Sequence, residues 1–153
     1  MHALELRIPP ALVGGAAGCL MWLVAWLLPS LRLAFPGRVV FAVAVGCLGV
    51  IVSVAGVIEF RRARTTVNPM TPSASSSLVT TGIYAVSRNP MYLGFAMVLL
   101  GWGIYLANPA SLSVLLGFVV YMSLFQIIPE ERALQSRFGS GFQAYRAKVR
   151  RWL

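Results

Sequence analysis

Arg88 stands directly before Asn89-Pro90-Met91-Tyr92-Leu93-Gly94, where a polar loop gives way to an apolar run. Proline suits the first turn of a helix, where its missing N–H would have no partner anyway. The free N–H groups of that turn, with the positive end of the helix dipole, form a seat for a carboxylate. Arg88 adds a guanidinium able to grip a carboxylate through two parallel hydrogen bonds. Gly82-Ile83-Tyr84 lies just upstream. The second chemically loaded feature is Glu130-Glu131, twin acids just after another apolar run. Acids are scarce, 4 in all, and Glu59 adjoins its own arginine cluster. Adjacent carboxylates at such a boundary can receive an ammonium group or tie down an arginine structurally. The residues alone leave both readings open.

The elements that must bring these groups together follow from composition. Of 153 residues, 58% are hydrophobic and only 11% charged, where a soluble domain carries about a quarter charged. Four apolar segments, at about 10–28, 38–60, 90–107 and 109–128, are each long enough to cross a hydrocarbon layer of about 30 Å as a helix. Only helices close their own backbone hydrogen bonds in lipid, so an all-α polytopic membrane protein with four transmembrane helices is expected. The chain reads as one integral membrane domain, with a loop at 61–89 and a cap at 129–153. The first segment is longer than a signal-peptide core and lacks a small-residue cleavage site, so a retained helix is expected.

Asn108-Pro109 makes the last two segments an antiparallel hairpin. That hairpin brings the start of the third segment and the end of the fourth to one membrane face, so Arg88 is expected beside Glu130 and Glu131. Eleven of the 13 Lys and Arg residues then fall on that face, leaving Arg32 and Arg38 on the other. The positive-inside rule places both termini and the motif-bearing segments in the cytoplasm. The net charge of +9 thus reads as attraction to anionic headgroups, not nucleic-acid binding. Ala42, Gly46, Gly49, Ser53 and Gly56 form a small-residue face, able to pack within the chain or against a second copy. Leu134, Phe138, Phe142, Tyr145, Val149 and Trp152 make the tail amphipathic, and Gly139-Ser140-Gly141 predicts a bend between two short helices. That face can lie on lipid, close over a pocket at the membrane surface, or do both at once. Cys19 and Cys47 are read as inert, buried packing residues, and no metal site is expected.

Arg-Asn-Pro-x-Tyr-x-Gly, a hydrophobic hairpin, then Glu-Glu-x-x-Leu-x-x-x-Phe-Gly and a closing Tyr-x-x-x-Val-x-Arg-Trp together resemble the isoprenylcysteine carboxyl methyltransferase and phospholipid methyltransferase superfamily. The likeness covers about residues 65–153. It implies S-adenosylmethionine bound with Tyr84, Arg88, Asn89, Pro90, Tyr92 and Gly94 on one wall and Glu130 and Glu131 on the other. Arg88 and Glu131 would carry catalysis, with Gly94 admitting the cofactor close to the backbone. The methionine end of that cofactor is a zwitterion that wants one cation and one anion. Asn89 stands where many members have histidine and Ile83 where proline is frequent, and His2 is the sole histidine. A histidine-dependent mechanism is therefore not expected.

The resemblance implies methyl transfer to a lipophilic acceptor, a carboxylate, amine or thiol, entering laterally from the bilayer. Tyr145, Arg146, Arg151 and Trp152 are candidates for contacting it. Two other classes compete: a steroid-reductase-like membrane enzyme using NADPH, and a non-catalytic membrane scaffold. Beyond the basic residues the sequence carries no phosphate-binding signature for NADPH.

Overall fold

Proline and glycine set where the helices of this chain begin. The computed structural model describes residues 5–64 and 77–153; His2 and the middle of the 61–89 loop lie outside them. In chain order the helices are α1 (Pro10–Leu27), α2 (Arg38–Arg62), α3 (Pro90–Leu106), α4 (Pro109–Tyr121), α5 (Ile128–Phe138) and α6 (Ser140–Lys148). Short 3-10 turns occupy Pro29–Leu31 and Gly82–Ala85, and a π-helical stretch, Met122–Ile127, joins α4 to α5. The described residues hold no strand. Proline sits in the first turn of α1, α3, α4 and α5, and Gly37, at φ 77°, precedes α2.

Among the described residues three helices are long and apolar enough to cross a membrane: Pro10–Leu27, Arg38–Arg62 and the unbroken run Pro109–Phe138. The third expected segment forms a shorter apolar helix of 17 residues. The fourth does not stop at residue 128. Helix continues through Pro129 into charged sequence, and the π-helical stretch shows how. Proline cannot donate to the carbonyl four residues back and crowds it, and the wider turn accommodates the ring. The Phe125 carbonyl, four residues before Pro129, instead accepts from the Leu6 N–H at 3.1 Å. The N-terminal segment is thereby tied to the end of the long helix.

α2 packs along α3, and α1 packs on α3 and α4. The α2–α3 contact is close because glycines face backbone. A Cβ on Gly101 would lie 2.7 Å from the Ala42 carbonyl oxygen, and one on Gly49 would lie 2.9 Å from the Val98 nitrogen. Overpacking of this kind costs about 1–3 kcal/mol. Gly101→Ala is therefore expected to lower the thermal unfolding midpoint in detergent by several degrees. Gly117→Ala, where nothing lies within 4 Å, should leave it unchanged or raise it, because alanine is the better helix former.

Met21, Leu99, Phe118, Met122 and Ile127 form the core between α1, α3 and the long helix. Asn108, 2% exposed, fixes the hairpin. Its side chain accepts from the Ala110 N–H at 3.0 Å and donates to the Leu28 carbonyl at 2.8 Å. Cys19 and Cys47 are exposed, not buried as expected, and Cys19 borders a trough between α1 and α3.

Candidate functional site

The α3–α4 hairpin brings the opening of α3 back beside α5, and the two charged features meet there. Arg88 Nη1 lies 3.0 Å from Glu131 Oε1, with both side chains about nine-tenths buried. A second guanidinium holds the same carboxylate. Arg151 donates from Nη2 to Glu131 Oε2 at 2.8 Å and from Nε to Oε1 at 3.1 Å. Arg88 is placed at ion-pair distance, but neither its Nε nor its Nη1 donates a hydrogen bond to any described residue. Burial holds the Arg88 pKa below its ordinary value, and the Glu131 charge partly restores it. The Arg151 pKa is raised by its bonds to Glu131. Two cations on one anion leave this cluster with a surplus positive charge.

Arg151 reaches Glu131 because the tail folds back. Gly139, at φ 51°, breaks the helix between α5 and α6. Phe142, Tyr145 and Val149 then pack with Leu78, Leu134 and Phe138. The apolar face of the tail is thus turned onto the protein. After α6 the chain runs as a strap over residues 87–89. The Arg88 N–H donates to the Arg150 carbonyl at 3.0 Å, and Asn89 Nδ2 donates to the Arg151 carbonyl at 2.9 Å. Ser87 Oγ, fully buried, also reaches the Arg151 carbonyl at 3.5 Å. Trp152 Nε1 closes the strap on Ser123 Oγ at 3.3 Å.

Glu130 points to a different set of partners. Tyr92 donates its hydroxyl to Glu130 Oε1, and Gln126 Nε2 donates to the same oxygen at 2.9 Å. Among the described residues Glu130 Oε2 accepts no hydrogen bond. Removing one partner of a buried acceptor costs about 1–3 kcal/mol. Gln126→Leu is expected to lower the unfolding midpoint, and the Gln126→Leu/Tyr92→Phe double variant should lose more than the sum of the two. A thermal melt of each variant in one detergent measures this.

The remaining candidates divide. Tyr84 is 4% exposed; burial raises its pKa, and its carbonyl accepts from the Tyr145 hydroxyl at 2.7 Å. Burial raises the pKa of Tyr145 as well. Arg146 is exposed, yet near enough that its charge disfavours the charged form of Arg88. Pro90 packs beside Gly56. Gly94 is turned toward α2, and a Cβ there would run into Ser53 and the Gly49 carbonyl. The close approach expected for a cofactor at Gly94 is taken up by a neighbouring helix instead. Sequence reasoning missed Gln126, Ser87 and Ser123. Gln126 was findable, as a lone amide in an apolar run four residues before Glu130, one helical turn away. Glu59, read beside its arginine cluster, pairs with Arg62 at 3.2 Å; its Oε2 also accepts from the Thr81 hydroxyl at 3.0 Å, and its side chain fills the space beside Gly82. Among the described residues no cluster of His, Cys, Asp and Glu could hold a metal.

Comparison with known proteins bears directly on this arrangement. The phospholipid methyltransferase family model matches residues 37–141. The match begins at α2 and so extends upstream of the motifs that carry the resemblance. A protein-S-isoprenylcysteine O-methyltransferase of Schizosaccharomyces pombe is 42% identical over 73 residues, 47% of this chain and 30% of its own. Protein-S-isoprenylcysteine O-methyltransferase B of Arabidopsis thaliana is 30% identical over 110 residues, 71% of this chain and 55% of its own. An uncharacterized protein of Haemophilus influenzae is 40% identical over 63 residues, its whole length and 41% of this chain. The chain thus spans about half or less of the named methyltransferases it matches, and no solved structure matches it. The family match lends the reductase and scaffold readings no support. With apolar helices of membrane-crossing length, a charged cluster at their ends and a family match over most of its length, the chain belongs to the phospholipid methyltransferase family of integral membrane methyltransferases, within the superfamily that includes the isoprenylcysteine enzymes.

Proposed function

We propose that this protein transfers a methyl group from S-adenosylmethionine to a lipid-borne carboxylate at the cytoplasmic boundary of the membrane. The observation that carries the reading is the buried Arg88–Glu131–Arg151 cluster, held where α3 opens and α5 begins. The donor set fits the cofactor's amino-acid end. Arg88 has N–H groups with no acceptor among the described residues, and these suit a carboxylate. Glu130 keeps one oxygen clear of Tyr92 and Gln126, and that oxygen suits an ammonium. Glu131, its oxygens engaged by two arginines, acts as a positioning residue that fixes both guanidiniums. Asn89 and Ser87 anchor the strap; Tyr84 and Tyr145 brace the turn behind it.

When bound, S-adenosylmethionine supplies an electrophilic methyl group. The protein's part is alignment and exclusion of water. With Arg88 on the cofactor's carboxylate, Arg146 nearby is the cation left to orient an anionic acceptor, whose carboxylate needs no general base. The relatives named isoprenylcysteine O-methyltransferases agree with a prenylated carboxylate as acceptor. A lipophilic acceptor reaches such a site sideways from the bilayer. α3, at about 25 Å long, completes four crossings beside α2 with modest local thinning. A cytoplasmic location for the site's face is supported by the 11 of 13 basic residues expected there.

The test is to incubate purified protein with methyl-labelled S-adenosylmethionine and a total lipid extract, then identify the labelled product. Base-labile label in the organic phase, as a carboxyl methyl ester gives, is expected. Base-stable label on a phospholipid amine would reassign the acceptor, and no organic label from folded protein would overturn the methyl-transfer reading.

A further inference from the structure

Two troughs follow one another along a groove on the flank of the bundle between α1 and α3, and Trp22 and Trp102 line both. On one side lies a trough of about 830 Å³ lined by Gly14, Gly15 and Gly18 of α1 and by Phe95 and Leu99 of α3. Its Gly18 carbonyl is already engaged by Trp102 Nε1 at 3.0 Å. On the other side a smaller trough of about 430 Å³ is bounded by Trp26, Pro29, Tyr105 and Arg32. The lining therefore passes from hydrocarbon through an aromatic band to a guanidinium. Arg32 makes no side-chain hydrogen bond or ion pair with the described residues. It stands at the end of the bundle away from Arg88, beyond α1 and next to the end of α3.

This gradient matches one amphiphile. From Ala11 to Trp26 the groove follows α1 for about 22 Å, the length of an extended acyl chain and short of the roughly 30 Å hydrocarbon layer. A helix of about 10 Å diameter over that length fills roughly 1,700 Å³, more than the two troughs of about 830 and 430 Å³ hold together. Tryptophan and tyrosine lie at headgroup depth in membrane proteins, and Arg32 beside them offers charge complementarity to an anion. We propose that the groove binds one acyl chain of an anionic phospholipid from the leaflet opposite the Arg88 cluster, with Arg32 on its phosphate. The bound lipid fills the cleft on the flank of α3 that α1 leaves open.

Native mass spectrometry of the detergent-solubilised chain, titrated with phosphatidylglycerol and phosphatidylcholine of identical chains, tests this. One phosphatidylglycerol should bind about fivefold more tightly than phosphatidylcholine, the contribution of one arginine to an anionic lipid. Arg32→Gln should erase that preference. Gly15→Leu places a side chain in the trough from a position where an added Cβ has nothing within 4 Å. It should weaken both lipids by about tenfold or more, with S-adenosylmethionine binding unchanged. Equal affinity for the two lipids, or lipid binding indifferent to Gly15→Leu, overturns the proposal. So does a soluble glycerol phosphate that competes as well as the lipid, which would make Arg32 a plain anion site. A change of oligomeric state in Gly15→Leu would mark the groove as a helix-docking face and overturns it equally.

Discussion

Replacing Arg88 by alanine is expected to weaken S-adenosylmethionine binding by about a hundredfold while the protein still folds. The two effects separate because Glu131 has a second partner. Arg151 grips both of its oxygens, at 2.8 and 3.1 Å, so loss of Arg88 does not strand a bare carboxylate in the protein. What is lost is the guanidinium whose Nε and Nη1 have no hydrogen-bond acceptor among the described residues. Truncating one partner of a buried charged contact costs about 2–5 kcal/mol, and a hundredfold, about 2.7 kcal/mol, lies in the lower half of that range. Arg88→Lys keeps the charge but not the planar fork, and should fall between. Equilibrium binding and a thermal melt on the same preparations read both quantities. A variant that melts like the parent but binds the cofactor a hundredfold more weakly is the expected pair of results.

Glu131→Ala should do the reverse, damaging the fold more than any other single change at the site. Arg88 and Arg151, with side chains 8% and 32% exposed, would face each other without the anion between them. Breaking a buried pair by removing one member costs about 3–5 kcal/mol, and the partial exposure of Arg151 puts the expectation at the lower end. The strap should loosen with it, since Arg151 is what fastens residues 149–152 beside Glu131. Trypsin should then cut at Arg150 and Arg151 faster than in the parent. Adding Arg88→Ala to Glu131→Ala removes the repulsion, so the double variant should be more stable than the sum of the singles allows. A Glu131→Ala protein with unchanged melting and unchanged tryptic release would mean the cluster does not hold the tail.

The meeting of Arg88 with Glu131 was legible in the sequence because it needs only geometry: a tight turn at Asn108-Pro109 and two apolar helices of similar length. The helix starts were legible for the same local reason, prolines that leave no N–H to satisfy. Arg151 as the second clamp was not. Its position depends on the left-handed Gly139 and on Phe142, Tyr145 and Val149 finding Leu78, a tertiary contact that periodicity does not specify. The division of labour between the twin acids was hidden too. Adjacent residues on a helix point about 100° apart, so Glu131 meets the arginines while Glu130 turns to Tyr92 and Gln126. Gly94 misled because a glycine announces a close neighbour without saying which one; here it is α2. The fourth apolar segment reads only to residue 128, yet the π-helical stretch carries the helix across Pro129 and hands the Phe125 carbonyl to Leu6.

Equilibrium dialysis of labelled S-adenosylmethionine against the purified protein and its Arg88→Ala variant tests the central claim most directly. The parent should bind one equivalent saturably, displaced by S-adenosylhomocysteine and not by NADPH, and the folded variant should retain almost none. A parent that binds no cofactor, or a variant that binds it as tightly as the parent, would contradict the claim that this guanidinium seats the amino-acid end of the methyl donor.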